Sequence, residues 1–152
     1  MKKIKFLILM LVGLTFFSLT SCSNDDEATD PRDQYVGTWN ATTTGSLTLF
    51  QNGQSVGTAP LNETRTISIS KSGSNALIID GKTYTVNGNN LSSTPTPLTE
   101  TSNGITIVAT ENSSGTLGSN IINFNNTITG TWNATNGASG NLSGNAVTTL
   151  TR

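Results

Sequence analysis

The segment Thr64-Arg65-Thr66-Ile67-Ser68-Ile69-Ser70-Lys71 alternates apolar and hydroxyl side chains. In an extended strand successive side chains point to opposite faces. Ile67 and Ile69 therefore share one face, and Thr66, Ser68 and Ser70 share the other. A strand of this kind is buried on one side and solvated on the other. The segment predicts a β-strand that covers a core.

Similar alternating runs recur along the chain and are separated by turn-forming residues. Asn52-Gly53, Asp80-Gly81 and Asn103-Gly104 each separate two runs, and such dipeptides favour tight turns. Two prolines restrict the segment Ser92 to Pro97 to an edge, a bulge or a loop. The composition of Asn112 to Gly115 predicts another turn. After the N-terminal apolar run no segment keeps a helical period, so no substantial helix is expected.

Eight to ten short strands with regular turns predict an all-β fold. The expected form is a small antiparallel up-and-down barrel, with a β-sandwich as the alternative. Thr, Ser and Asn occupy the outward positions, which suits a solvated sheet face. The core rests on Leu, Ile, Val and a few aromatic rings. These rings are Tyr35, Trp39, Phe50, Tyr84, Phe124 and Trp132.

One hexapeptide occurs twice. Gly37-Thr38-Trp39-Asn40-Ala41-Thr42 recurs 93 residues later as Gly130-Thr131-Trp132-Asn133-Ala134-Thr135. The repeat has two interpretations. The copies are either two strands that meet where a barrel closes, with paired tryptophans, or a recurrent use of a good strand start.

The N-terminus has the pattern of a secretory signal. Lys2, Lys3 and Lys5 precede an apolar run, residues 6–17, that is short for a membrane span. Leu19-Thr20-Ser21-Cys22 follows and contains the only cysteine of the chain. This tetrapeptide resembles the lipobox of bacterial lipoproteins, which implies lipid attachment at Cys22. The alternative is a secreted protein cut near Ser21 with a free thiol.

The residues after Cys22 are acidic. Asp25-Asp26-Glu27 resembles a surface-export signal of lipoproteins from one group of Gram-negative bacteria, and the alternative is a solvated spacer. The resemblance implies the outer membrane and the cell surface. The expected division is a signal peptide over residues 1–21, an acidic flexible tether over 22–34 and a β-barrel domain over 35–152.

The start of the domain resembles lipocalin-like barrels. In that family Gly-x-Trp begins the first strand and the tryptophan plugs one end, as Gly37-Thr38-Trp39 would here. An arginine of the last strand stacks over that tryptophan, and Arg152 is the only candidate. Residues 30–39 and 67–72 also resemble small surface lipoproteins that carry such domains. The resemblance implies a barrel with a ligand cavity, although the family's Thr-Asp-x-x-Tyr signature is absent.

Composition excludes several chemistries. The chain has no histidine, so a Ser-His-Asp triad cannot form, and its single cysteine lies in the anchor. Zinc sites need nitrogen or sulfur ligands, and residues 35–152 contain neither histidine nor cysteine. The four acids of residues 35–152 are scattered and match no calcium loop, and clustered cations for nucleic acid are lacking. We therefore expect no enzyme activity, no cofactor, no metal and no nucleic-acid partner.

Two functions remain. In the first, a monomeric domain binds a small apolar or amphipathic ligand in a cavity lined by Trp39, Tyr84, Phe124 and Trp132. In the second, these rings fill the core, and the domain is a display module that contacts a glycan or a partner protein. In both, the lipid on Cys22 attaches the protein to a membrane.

Overall fold

The computed structural model describes residues 29–152, so the predictions for the signal peptide, Cys22 and residues 23–28 lie outside the described residues. The described chain contains a short 3-10 helix, Asp33–Tyr35, and ten β-strands in one antiparallel sheet. This confirms the all-β prediction, and a single sheet is not a sandwich. The strands are β1 (Gly37–Gln51), β2 (Gln54–Pro60), β3 (Glu63–Ser72), β4 (Ala76–Ile79), β5 (Lys82–Asn87), β6 (Asn90–Ser92), β7 (Thr96–Ser102), β8 (Ile105–Leu117), β9 (Ile121–Ala134) and β10 (Ser139–Thr151).

Hydrogen bonds join eight of these strands into a ring in the order β1, β3, β4, β5, β6, β8, β9 and β10. The ring closes between β10 and β1, whose pairing extends from Asn40 opposite Thr151 to Phe50 opposite Asn141. The strands β2 and β7 lie outside the ring. β2 pairs with β1, and β7 pairs with β8.

The ring is uneven because two strands change partners along their length. Residues 37–43 of β1 pair with β3, whereas residues 46–51 pair with β2. Residues 114–116 of β8 pair with β6, and residues 105–111 pair with β7. The β4–β5 hairpin, which lies between β3 and β6 in the ring, is short, with strands of four and six residues. The ring is therefore complete at one end, here called the closed end. Toward the other end, no strand of the ring fills the space beyond the tip of the β4–β5 hairpin. We call this gap the groove.

The turns at Asn52-Gly53, Asp80-Gly81 and Asn103-Gly104 are confirmed. Their φ angles are 51° and 79°, 51° and 79°, and 50° and 75°, respectively. Two consecutive positive φ angles are the geometry of the type I′ turns that join antiparallel strands. The proline-containing segment also behaves as predicted, because β7 pairs with β8 alone.

The predicted turn at residues 112–115 is wrong, and the strands are not all short. β8 continues through these residues, and β1, β8, β9 and β10 have 13 to 15 residues each. A glycine is required at position 115 because the Phe124 ring packs against it. A Cβ atom at this position would lie 2.7 Å from Cδ1 of Phe124, on the neighbouring strand. The small residue therefore accommodates a ring and does not reverse the chain.

The closed end contains the larger apolar cluster, which includes Trp39. The Trp39 Nε1 donates a hydrogen bond of 2.8 Å to the Tyr35 carbonyl. The Arg152 guanidinium lies 4.8 Å from the centre of the Trp39 ring and donates to the Val36 carbonyl. Arg152 thus occupies the position that the family resemblance assigns to it. Its cation–π contact and hydrogen bond hold the last residue of the chain against the start of β1.

The second copy of the hexapeptide lies in a different core. Trp132 packs with Ala109 and Leu142 in a smaller cluster, and its Nε1 donates to the Phe50 carbonyl at 3.2 Å. β10 separates the two copies, which flank its opposite ends, so the interpretation with paired tryptophans at a closure is wrong. The copies instead supply one buried tryptophan to each cluster.

The folded unit begins at Pro31. Arg32 is 8% exposed. Its Nη1 donates to the Gly73 and Ala76 carbonyls at 3.1 and 2.9 Å. Within residues 29–152 there is no helix of sufficient length and hydropathy to cross a membrane.

We predict that Gly115→Ala lowers the free energy of unfolding by about 1–3 kcal/mol, because the added methyl group overpacks Phe124. Urea unfolding followed by circular dichroism measures this change. The control is Gly57→Ala, since nothing lies within 4 Å of a Cβ atom at Gly57. Its expected effect is within about 0.5 kcal/mol. Equal effects at the two glycines would contradict the packing role of Gly115.

Candidate functional site

A cavity with a volume of about 760 Å³ lies at the base of the groove. Its walls come from β1, β3, β8, β9 and β10, and the hairpin tip at Asp80 forms its lower rim. It exists because β4 and β5 end before their neighbours do, so that inward-facing side chains of the long strands remain uncovered.

The floor of this cavity is apolar. Tyr84 and Phe124 lie there with ring centres 5.0 Å apart and planes tilted by 51°. Both rings are largely buried, at 7% and 4% exposed, so they present little surface to the cavity. The remaining floor is aliphatic and is formed by Ala41, Ile67, Ile79, Ala146 and Leu150.

A band of polar side chains lies above this floor. Thr43 and Thr148 share a hydrogen bond of 2.9 Å between their hydroxyl groups. Asn126 donates to the Thr148 hydroxyl at 3.2 Å and is 9% exposed. All three residues line the cavity. Asn126 interrupts an otherwise apolar inner face of β9, and the band separates the two apolar clusters of the molecule.

Ion pairs hold the hairpin tip on both sides. Arg65 of β3 contacts Asp80 at 2.5 Å and Glu63 at 3.2 Å. On the other side, Lys82 contacts Glu111 of β8 at 3.1 Å. Each pair lies where the backbone ladder beside the hairpin ends, after Ile79 pairs with Ile69 and above the last residue of β6. Side-chain charges therefore connect the tip to the walls, in addition to the backbone hydrogen bond of 3.1 Å that the Asp80 N–H donates to the Ser68 carbonyl.

A second cavity of about 320 Å³ continues the groove away from the closed end. Its floor is formed by Leu47 and Leu49 of β1 and by Ile105 and Ile107 of β8. The two cavities adjoin along β2, since Ala59 lines the upper one and Pro60 lines the lower one. The groove thus has a lower part with a charged rim and an upper part with an apolar floor.

The four carboxylate side chains of residues 35–152 all line this groove. Glu63, Asp80 and Glu111 surround the lower cavity, and Glu100 borders the upper one. Arg65 and Lys82 are the two cations of the groove, which gives it a formal charge of −2. The sequence shows these acids as scattered, because they come from different elements that the sheet brings together. Within the described residues no three acids are close enough to form a metal-binding group.

No family model, curated protein or solved structure matches this chain.

The candidate residues from the sequence have different positions. Tyr84 and Phe124 lie together on the floor of the lower cavity. Trp39 packs in the closed end at 1% exposed, and Trp132 packs in the smaller cluster at 5% exposed. Neither tryptophan borders the lower or the upper cavity. Cys22 lies outside the described residues.

The polar and charged rim of the groove was not predicted from the sequence. Asn126 was visible as a break in the parity of β9, which was the one available signal. The ion pairs gave no such signal because they join different strands.

The pKa of Tyr84 is clearly shifted at this site. Burial raises the pKa of its phenol above the usual value of 10.0, and a hydrogen bond with the Ser113 hydroxyl, 3.1 Å long, partly opposes this. The negative charges of Glu111 and Asp80 raise it further. Tyr84 therefore remains neutral at physiological pH and adds no charge to the floor of the cavity.

We predict that the stability contributed by neutral Tyr84 is present below pH 10.0 and falls as the pH rises through the higher pKa of the folded state. The unfolded chain loses the phenolic proton first, which favours unfolding in this range. Urea unfolding between about pH 9 and about pH 11 measures the decline. Tyr84→Phe should show a smaller decline, and identical pH profiles for the two proteins would contradict the prediction.

Proposed function

We propose that the folded domain binds a small amphipathic ligand in the groove, without catalysis, and that lipid on Cys22 attaches the protein to the outer membrane with the domain at the cell surface. The observation that supports binding is the cavity of about 760 Å³, which lies within the common size range of ligand sites. An apolar floor with a polar rim suits a molecule that has an apolar part and a polar part.

The arrangement of the aromatic residues favours a groove ligand over a flat glycan contact. Tyr84 and Phe124 present little surface, and both tryptophans are buried. A glycan usually stacks on an exposed ring, and such a ring is absent from the described inner wall. The display module remains the second candidate, since the exposed outer face of β9 carries hydroxyl groups at Thr127, Thr129 and Thr131.

The proposed attachment rests on the sequence. Leu19-Thr20-Ser21-Cys22 resembles a lipobox, and the acidic residues after it resemble a surface-export signal. A single acyl chain gives weak membrane binding, whereas two or more give stable attachment. The lipocalin-like resemblance, which is also based on sequence, supports a binding role for the domain.

We predict that Ile128→Trp weakens binding of N-phenylnaphthylamine, an uncharged fluorescent amphiphile, by about tenfold or more, equivalent to about 1.4 kcal/mol. Ile128 lines the lower cavity, so an indole ring there would occupy the ligand space. Fluorescence titration measures the affinity. Thr129→Trp is the matched control, because the adjacent side chain is exposed on the outer face. Unchanged binding in a folded Ile128→Trp protein would contradict the groove as the binding site.

We predict that Cys22→Ala abolishes lipid labelling and moves the protein out of the membrane fraction, because the proposed acyl chains have no other attachment point. Metabolic labelling with a fatty acid, followed by cell fractionation, measures both effects. Ser23→Ala should keep the label. A labelled Cys22→Ala protein would contradict lipid attachment at this cysteine.

A further inference from the structure

We propose that the ligand of the groove is a single-chain amphipathic cation, with its positive head group at the rim of the lower cavity and its apolar chain in the upper cavity. This inference rests on the proposed binding function and adds the sign of the charge and the orientation of the ligand. It follows from the distribution of charge and of apolar surface along the groove.

The groove carries a net negative charge. Four carboxylates and two cations line it, whereas Lys71 and Arg152, the other two cations of residues 35–152, lie at the closed end. A cleft lined mainly by one sign of charge concentrates ligands of the opposite sign. The groove therefore favours a cation over an anion of the same shape.

The ion pairs leave negative charge in excess at the rim. Lys82 and Glu111 compensate each other, with side chains 20% and 25% exposed. Arg65 lies between two carboxylates, Glu63 and Asp80, which are more exposed at 61% and 41%. One carboxylate charge is thus left over beside the lower cavity, at a position that solvent and a ligand head group can reach.

The upper cavity offers the apolar surface for the chain of the ligand. The floor of the upper cavity is formed by Leu47, Leu49, Ile105 and Ile107, which are only partly buried. The wall at β7 runs from Thr96 beside the lower cavity to Asn103 beside the upper one. At the rise of an extended strand this distance is about 23 Å. The groove is long enough for an extended alkyl chain, and the apolar floor of the upper cavity begins where the polar band ends.

The proposal is tested with three amphiphiles that share a decyl chain. Decyltrimethylammonium is cationic, decyldimethylamine oxide is uncharged above neutral pH and has a similar head group, and decanoate is anionic. Isothermal titration calorimetry, below the micellar concentrations, measures their affinities for the whole chain from residue 22 with Cys22→Ser. We expect the cation to bind about tenfold more tightly than the anion at low salt, with the oxide between them. Raising the salt concentration to about 1 M should reduce this difference, because the Debye length falls to about 3 Å.

Two double variants locate the effect. Glu63→Gln with Glu100→Gln neutralises the groove and should weaken binding of the cation about fivefold while leaving the oxide unchanged. Thr127→Lys with Thr131→Lys changes the net charge of the protein by the same amount on the exposed outer face of β9. This control should change the affinity for the cation much less, and an equal change in both variants would overturn the assignment to the groove.

The outcomes separate the two proposals. If the oxide and the anion bind as tightly as the cation, the charge assignment is wrong while groove binding stands. If none of the three binds and N-phenylnaphthylamine also fails to bind, the proposed function itself is wrong. A cationic amphipathic peptide that binds where decyltrimethylammonium does not would overturn the assignment of a single-chain ligand.

Discussion

The pairing of β1 with β10 is the constraint on which the structure depends. These are the first and last strands of the described residues, and eleven residue pairs join them. Without this ladder the sheet would have two long free edges, and the inward-facing residues of four long strands would lack an opposite wall. The contact between Arg152 and Trp39 lies at the end of the same ladder. Closure therefore depends on contacts between residues that are far apart in the sequence, which are slow to form.

The groove follows from that closure. β1 and β8 are paired on both sides along most of their length, but each exchanges one partner partway. The exchange leaves β2 and β7 as edges, and the short hairpin cannot fill the space between them. Charged side chains then complete the rim, because the ion pairs of Arg65 and Lys82 connect the hairpin tip to its neighbours. The cavity and its charged rim both lie where strands of unequal length are neighbours.

Local features of this fold could be predicted from the sequence, whereas long-range features could not. Asn52-Gly53 and Asp80-Gly81 predicted turns correctly because the backbone conformation of a type I′ turn selects those residues. The inner faces were predicted because parity along a strand is local. The turn predicted at residues 112–115 was wrong because Gly115 makes room for the Phe124 ring. Composition alone does not distinguish a glycine required for close packing from a glycine required for a turn. The convergence of the four carboxylates depends on the register between strands, which no local pattern contains.

The length of the β4–β5 hairpin determines the size of the opening. Lengthening both of its strands by two residues would preserve which side chains face inward, since a strand alternates with a period of two. Such an insertion at Asp80-Gly81 would raise the wall without altering either apolar cluster, and a deletion would widen the aperture. Ligand size is thus separable from the core, so variation at one turn could produce domains of different selectivity on an unchanged barrel.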